Sequence, residues 1–457
     1  MKLMGKRARI LMVLCLLFAF GMLFFFYSYA KDAAKWASYP VNRHLYQNGR
    51  LISAGSIYDR NGVVLAITEN GARHFHADRN MRRAVMHLVG DANGNVATSL
   101  QVAYRSNLTG WNFFTGAYSY GKNSGRDVMA TIDASLCRAA YEAMDGQRGA
   151  VGIMNYQTGE ILCMVSTPTF DPDNPPDVSE PQYEGVYLNR LLSSSFVPGS
   201  IFKLVTAEAA IECLPDLSDR TFVCEGILEL EGGRITCPSV HGTQNFGEAL
   251  THSCNVAFAG LALELGPRKL SQYAENAGLG IKNMRMDDIS IAGGSFTLDD
   301  ANEADLGWAG VGQYETLLNP LCYLQYVGSI ANGGRRVNPH IIRSVGSGAL
   351  MVPRVGLGRS AGSSMSVETA DVLKKMMRDN VLNNYGEGKL GGYGMCAKTG
   401  TAEVGGGLKP HSWFTGFLDS DEAPLCFIVL VENGGAGSAA AAGVAKKVLA
   451  LAVNLSL

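Results

Sequence analysis

No Cys-x-x-Cys pair occurs among the ten cysteines of this 457-residue chain, so we expect no structural zinc site. The basic residues are not gathered into a stripe, and the formal net charge is only −2, which makes nucleic acid a poor candidate partner. No internal repeat or low-complexity segment is present. The chain is instead long enough for two or three domains with a large buried core.

A long apolar run is present at the N-terminus. Four basic residues lie within the first nine positions and precede the uncharged run Ile10–Phe26. Cleavable signal peptides have shorter apolar cores, so we interpret residues 1–30 as a cytoplasmic tail and an uncleaved transmembrane signal-anchor. The basic flank predicts a cytoplasmic N-terminus, with the rest of the chain outside the membrane. A cleaved signal stays the alternative, because Ser28-Tyr29-Ala30 resembles a small-x-small cleavage site.

Disulfides are common in exported proteins, and nine of the cysteines lie outside the apolar run. Cys224 and Cys237 flank a predicted hairpin whose turn lies near Gly232-Gly233, so they are the best-placed pair for a bridge. Two free, buried thiols are an equally good interpretation, since a compartment with little oxidant would leave them reduced.

Residues 31–128 mix short strand-like segments with Gly and Asn turns, as at Asn61-Gly62. We interpret this stretch as a small N-terminal domain without a catalytic cluster. His74 and His76 could be metal ligands on one face of a strand. No third ligand is near them in the sequence, so we expect surface or packing histidines.

Residues 129–457 have the pattern of one domain that mixes helices and strands. Thr131 or Asp133 can cap a helix that ends near Met144, and two strand-like segments follow. Helical patterns then cover 200–213, 244–265, 318–332 and 438–454. Two further strands precede the last helix. Strands near both ends of the domain predict a sheet that is closed by the two termini.

The motif Ser-x-x-Lys occurs at Ser28/Lys31, Ser119/Lys122 and Ser200/Lys203. Only the third opens a helical pattern, where a three-residue spacing places both side chains on one face. The N-terminus of a helix also favours negative charge on the serine oxygen. A serine nucleophile needs a neighbouring base, and lysine serves when burial or another cation lowers its pKa.

Two more short motifs follow, and each occurs once. Ser253-Cys254-Asn255 is by itself a predicted helix cap, and Lys398-Thr399-Gly400-Thr401 is by itself an ordinary strand. In this order after Ser200/Lys203, they match the Ser-x-x-Lys, Ser-x-Asn, Lys-Thr-Gly set of penicillin-recognising serine enzymes.

The chain resembles a class B penicillin-binding protein, a peptidoglycan D,D-transpeptidase. The resemblance extends to HGTQNFGEALTHSCNVAF, AKTGTAE and WFTGF, while SIYDRNGVVLA resembles the start of that family's N-terminal domain. It implies an α+β, serine β-lactamase-like transpeptidase domain at 129–457, with helices flanking an antiparallel sheet. A small pedestal or dimerisation-like domain would occupy 31–128. That stretch is too short to hold a glycosyltransferase domain as well, which argues against a bifunctional class A enzyme.

The resemblance also implies roles for the motif residues. Ser200 would attack the penultimate D-Ala carbonyl of a stem peptide, Lys203 would take its proton, Ser253 would relay the proton to the leaving amine, and Asn255 would bind the substrate backbone. The substrate-binding residues would be Lys398, Thr399, Gly400 and Thr401, of which Lys398, Thr399 and Thr401 would bind the terminal carboxylate. The backbone N–H groups of Ser200 and Thr401 would form the oxyanion hole.

No metal or organic cofactor is called for by this resemblance. The implied partners are a D-Ala-D-Ala donor peptide, an amine acceptor, β-lactams that stall at the acyl stage, and a membrane glycosyltransferase or other wall-synthesis proteins. Ala54 and Asn319 stand where the family usually has arginine and threonine. These departures leave the subfamily open among elongation, division and sporulation.

Three other functions stay open at this stage. A β-lactamase or a β-lactam sensor would have the same fold. The segment EADLGWA superficially resembles the Glu-x-x-Leu-Asn loop by which class A β-lactamases deacylate, but Gly307 stands in place of the asparagine. A D,D-carboxypeptidase would use the same motifs with water as the acceptor. A non-catalytic scaffold would not need the motifs, and all three are intact.

Overall fold

The computed structural model describes residues 2–37, 46–47, 50–51, 54–70, 72–109, 125–281, 284–347, 350–353 and 360–455. The Ser-x-x-Lys at Ser119/Lys122 lies outside these residues. The first helix, Lys2–Ala37, contains the apolar stretch Gly5–Ala33, which is long enough to cross a membrane. Phe18 and Phe20 each expose 71 % of their surface. Such an unburied apolar helix indicates a membrane anchor.

A five-stranded antiparallel sheet forms the centre of the larger domain. Its order is Met395–Ala402, His411–Leu418, Leu425–Val431, Gly149–Asn155 and Ile161–Thr167. Leu425 pairs with Asn155 and Val431 with Gly149, so a strand from the end of the chain closes on the first strand of the domain. This closure confirms the predicted α+β class.

Helices cover both faces of this sheet. Successive side chains of a strand point to opposite faces, and every residue of Leu425–Val431 is buried. Pro320–Ala331 and Ala440–Asn454 both contact that strand. The α-helices are Lys2–Ala37, Arg79–Val89, Leu100–Ala103, Arg105–Leu108, Ala134–Met144, Lys203–Cys213, Phe246–Thr251, Asn255–Asn276, Glu303–Gly310, Pro320–Ala331, Val367–Asn380, Glu387–Leu390 and Ala440–Asn454.

A second sheet has six strands. Its order is Leu350–Pro353, Ile342–Ser347, Asp127–Ala130, Ile57–Tyr58, Val64–Glu69 and Ala72–Phe75. The turn predicted at Asn61-Gly62 is present, with Gly62 at a φ of 82°. The sheet takes strands from both sides of residue 129, so the limits of the two domains stay a prediction. Within it, His74 is exposed, and His76 Nδ1 accepts a hydrogen bond from Asp78 N–H.

Five pairs of short strands complete the described sheets. They are Tyr46–Gln47 with Arg50–Leu51, Thr221–Cys224 with Gly242–Asn245, Ile227–Leu230 with Gly233–Thr236, Arg285–Met286 with Ile289–Ser290, and Arg335–Val337 with Ser360–Ser363. The hairpin predicted around Gly232-Gly233 is therefore confirmed.

The single helix predicted over 244–265 is wrong. Two helices occupy this region, Phe246–Thr251 and Asn255–Asn276. Ser253 lies between them with a φ of 54°, in the left-handed region that a non-glycine residue adopts only at a cost. Cys254 then caps the second helix, because its Sγ accepts a hydrogen bond from Ala257 N–H at 3.4 Å. The break places the Ser-x-Asn motif at a turn.

Candidate active site

Ser200 lies in a short 3-10 turn directly before the helix Lys203–Cys213. Gly199, which precedes it, has a φ of 55°. A Cβ on Gly199 would come within 2.3 Å of the carbonyl oxygen of Thr401. Only glycine fits where the turn meets this strand. The turn thereby brings Ser200 beside the Lys-Thr-Gly motif, which lies far along the chain.

Lys203 is fully buried, and its amine joins two of the motifs. Lys203 Nζ donates hydrogen bonds to Ser253 O at 2.6 Å and Asn255 Oδ1 at 2.7 Å, and it contacts Ser200 Oγ at 3.0 Å and Ser253 Oγ at 3.2 Å. The carbonyl and amide oxygens can only accept, so they occupy two N–H groups. A neutral amine then has its one lone pair left, which can accept the proton of the Ser200 hydroxyl. This is the geometry that a general base requires.

The third motif meets the same cluster through Lys398. Lys398 Nζ donates to Ser253 Oγ at 3.0 Å and to Thr399 O at 3.1 Å. The Ser253 hydroxyl therefore lies between two buried amines and can pass a proton from one side of the site to the other. The structure thus brings together the four residues predicted to be catalytic and the Lys-Thr-Gly strand.

Burial shifts the pKa of both lysines downward. It lowers the pKa of Lys203 to about 7, against an opposing effect of Cys237 and Cys254. Burial, and then the charge of Lys203, lower the pKa of Lys398 well below its usual value. For both lysines, burial is the largest cause of the downward shift. A lysine with a pKa near 7 has a large neutral fraction at neutral pH.

A pocket of about 690 Å³ opens over these motifs. Its polar lining includes Ser200, Ser253, Asn255, Thr399 and Thr401. Gly400 lies in the same strand, and a Cβ there would come within 2.8 Å of Pro198 O. As predicted, glycine lets another backbone approach this strand closely. The volume suits a small organic ligand or a short peptide end.

Tyr385 contributes to the site, although no sequence motif pointed to it. Tyr385 OH accepts hydrogen bonds from Thr399 N–H and from Asn380 Nδ2, each at 2.9 Å. Both lone pairs are then used, so the phenol proton goes to Thr399 Oγ1 at 2.8 Å. The hydroxyl proton of Thr399 can therefore point into the pocket. The sequence could not predict this pair, because Tyr385 and Thr399 are 14 residues apart and no motif links them.

The ten cysteines are all free thiols in the structure. Cys237 Sγ lies 3.8 Å from Cys254 Sγ, a partner that the sequence analysis did not consider. A bridge between Cys224 and Cys237 stays a prediction.

Comparison with known proteins agrees with this geometry. The family described as the penicillin binding protein transpeptidase domain matches residues 149–450. Peptidoglycan D,D-transpeptidase PbpA of Mycolicibacterium smegmatis is 30% identical over 375 residues, which cover 75% of each chain. Stage V sporulation protein D of Bacillus subtilis is 27% identical over 68% of this chain and 50% of its own length.

Solved structures give the same result. The chain is similar to the ceftriaxone acyl-enzyme complex of penicillin-binding protein A from M. tuberculosis, with a TM-score of 0.77 and 25% identity over 88% of this chain and 99% of that one. The imipenem acyl-enzyme complex of the same protein has a TM-score of 0.76 at 26% identity, with the same coverage. On the strength of these matches, the chain belongs to the class B penicillin-binding proteins.

Proposed function

We propose that the chain crosslinks peptidoglycan stem peptides as a serine D,D-transpeptidase, with Ser200 as the residue that carries the acyl group. The observation that supports this most directly is the 3.0 Å contact between Lys203 Nζ and Ser200 Oγ. It lies in a buried position, where the pKa of Lys203 is about 7. The names of the relatives and the β-lactam acyl-enzymes of a structural neighbour support the same activity.

In acylation, Ser200 Oγ attacks the carbonyl carbon of the penultimate D-Ala, and its proton passes to the neutral amine of Lys203. Negative charge develops on the carbonyl oxygen, toward the backbone N–H groups of Ser200 and Thr401. Each such donor is typically worth about 3 kcal/mol in the transition state. The C–N bond then breaks, and the Ser253 hydroxyl gives a proton to the leaving amine while it receives one from Lys203.

The substrate would lie along the outer edge of the five-stranded sheet. Met395–Ala402 is an edge strand, and Thr399 N–H already donates to Tyr385, so an extended peptide can pair with the strand beyond Thr399, beside Thr401. Lys398, Thr399 and Thr401 would bind the terminal carboxylate, and Asn255 would bind the substrate backbone. A bound carboxylate favours the charged form of Lys398, which offsets the cost of burying that amine.

The acyl group would pass to the amine of a second stem peptide, which reverses the proton transfers and forms the crosslink. We place the catalytic domain outside the membrane, with the N-terminus in the cytoplasm, because basic residues precede the apolar helix. Residues 31–128 would then serve as a pedestal, and a membrane glycosyltransferase would supply the glycan strands.

Products of the full-length chain in detergent test this function. With a stem pentapeptide donor and an amine acceptor, we expect mass spectrometry to detect a crosslinked peptide and one released D-Ala per crosslink. Hydrolysed donor alone would indicate a carboxypeptidase. A penicillin adduct that forms and rapidly disappears would indicate a β-lactamase, and a folded chain that forms no adduct would indicate a scaffold.

The variant Tyr385→Phe tests how Thr399 is positioned. We expect the KM for the donor peptide to rise about fivefold, because Thr399 Oγ1 loses the hydrogen bond from Tyr385, worth about 1 kcal/mol, and the Thr399 hydroxyl no longer points only into the pocket. The rate of D-Ala release at varied donor concentration measures this. Tyr141→Phe is the matched control, since the Tyr141 hydroxyl contacts Arg83 instead. A lower kcat at an unchanged KM would contradict the carboxylate-binding role.

A further inference from the structure

The 221–245 segment, two pairs of short strands, forms one wall of the pocket. Most of its residues are exposed, and Val223 and Val240 expose 62 % and 69 % of their surface. Asn255 Nδ2 nevertheless donates to Thr236 O of this segment at 2.7 Å, and Thr236 and Cys237 line the pocket. A wall with so little core of its own needs another contact to hold it against the active site.

Four metal-binding side chains converge where the 221–245 segment meets the Ser-x-Asn turn. Cys224 ends one strand, Cys237 follows the hairpin, His241 precedes the next strand, and Cys254 caps the helix Asn255–Asn276. Their ligand atoms all lie within 4.8 Å of one another. Cys237 Sγ and Cys254 Sγ are 3.8 Å apart. Tetrahedral zinc with bonds of about 2.3 Å to sulfur separates two thiolates by about the same distance.

The histidine of this group is oriented for a metal. His241 Nε2 contacts Ser239 Oγ at 3.1 Å, while Nδ1 is buried and has no hydrogen-bond partner among the described residues. Histidine ligands usually donate their second N–H to an oxygen, as Nε2 can do here. The ring also stacks on His252, with centroids 5.3 Å apart. These contacts leave the lone pair of Nδ1 for the metal.

Backbone N–H groups surround the sulfur atoms. Cys237 Sγ accepts hydrogen bonds from Asn255 N–H at 3.0 Å and Val256 N–H at 3.4 Å, and Cys254 Sγ accepts one from Ala257 N–H at 3.4 Å. Such donors stabilise the thiolate, which is the form that binds metal.

We propose that Cys224, Cys237, His241 and Cys254 bind one Zn²⁺ ion as a structural site that fixes the Ser-x-Asn turn against the pocket wall. Each ligating thiol gives its proton to solvent, and the imidazole binds in its neutral form. Four protein ligands close the coordination sphere, so the ion holds structure and takes no part in acyl transfer. The expectation of no structural zinc rested on the missing Cys-x-x-Cys pair, whereas this set spans residues 224–254 without one.

Metal content of the full-length chain tests the site. After purification in detergent with a mild reductant and no chelator, we expect about one zinc per chain by plasma mass spectrometry. Cobalt in place of zinc should give the intense visible bands of tetrahedral thiolate coordination. Cys224→Ser and His241→Ala should each weaken zinc binding at least about tenfold. Cys213→Ser removes a thiol outside the cluster and should keep the metal.

Chelation tests the coupling to the Ser-x-Asn turn. Removal of zinc from the wild-type chain should lower the melting temperature and slow penicillin acylation, and added zinc should restore both. An unchanged acylation rate after removal would overturn the coupling. A wild-type chain that gives neither zinc nor a cobalt–thiolate band would overturn the site, as would a Cys237–Cys254 disulfide in the reduced preparation. The cobalt spectrum requires neither a variant nor catalytic activity. It therefore tests the metal site even if the chain proves to have no transpeptidase activity.

Discussion

Ser200→Ala is expected to abolish covalent labelling by a fluorescent penicillin, with acylation slowed by at least about 10⁴-fold. The reason is that Ser200 Oγ lies at the pocket, 3.0 Å from the Lys203 amine. The Ser253 hydroxyl cannot replace it, because it lies between two buried amines. Gel fluorescence and intact mass of the full-length chain measure the adduct.

The matched control for this variant is Ser195→Ala. Ser195 lies in the same segment, but its hydroxyl donates to Gly293 O at 2.7 Å, so we expect labelling to persist. Loss of one partly buried hydroxyl at Ser200 should change the free energy of unfolding by no more than about 1 kcal/mol. A folded Ser200→Ala chain that labels at the wild-type rate would refute Ser200 as the nucleophile.

Lys203→Met is expected to slow acylation by about 10²–10⁴-fold, because it removes the base and keeps most of the side-chain volume. Only the neutral amine accepts a proton, and its fraction grows as the pH rises through a pKa of about 7. The wild-type acylation rate should therefore rise with pH through about 7 and then level off. The variant should lose that step. Stopped-flow penicillin acylation from acid to alkaline pH measures both.

The free energy of unfolding should also depend on the titration of the Lys203 amine, and the direction of this dependence follows from its pKa shift. The pKa of Lys203 falls from its usual 10.5 to about 7 in the folded chain, so between these values the unfolded chain binds more protons. The contribution of Lys203 to folding stability therefore rises with pH across that window. Lys374→Met is the control, since Lys374 pairs with Asp419 at the surface. If the acylation rate of the Lys203→Met chain still rises through about pH 7, another group is the base.

Features that depend on nearby residues could be predicted from the sequence. The turn at Gly62 and the cap by Asp133, whose carboxylate accepts from Leu136 N–H at 2.9 Å, need only a few neighbouring residues. The helix predicted over 318–332 is present as Pro320–Ala331. Strand pairing between the two ends of the larger domain was also predictable, because few other arrangements bury such apolar strands.

Features that depend on distant contacts were missed or wrong. Apolar periodicity continues through 244–265, but contacts of Ser253 with Lys203 and Lys398 accompany a left-handed backbone that splits the helix. The cysteine pairing was proposed from the residues that flank one hairpin. The structure instead places Cys254, from the following turn, next to Cys237. No pattern of neighbouring residues in the sequence predicts the contacts of Ser253 with the two lysines or of Cys254 with Cys237.

The sequence by itself determined the family, the three motifs and the residues available for chemistry, because these depend on residue identity and short spacing. Tertiary structure alone decided that Lys203 is buried with a pKa near 7, that Tyr385 orients Thr399, and that four metal-binding side chains converge beside Ser253. The physical reason is that burial and hydrogen-bond partners come from segments far apart in the chain. Desolvation and donor geometry therefore exist only after those segments have packed together.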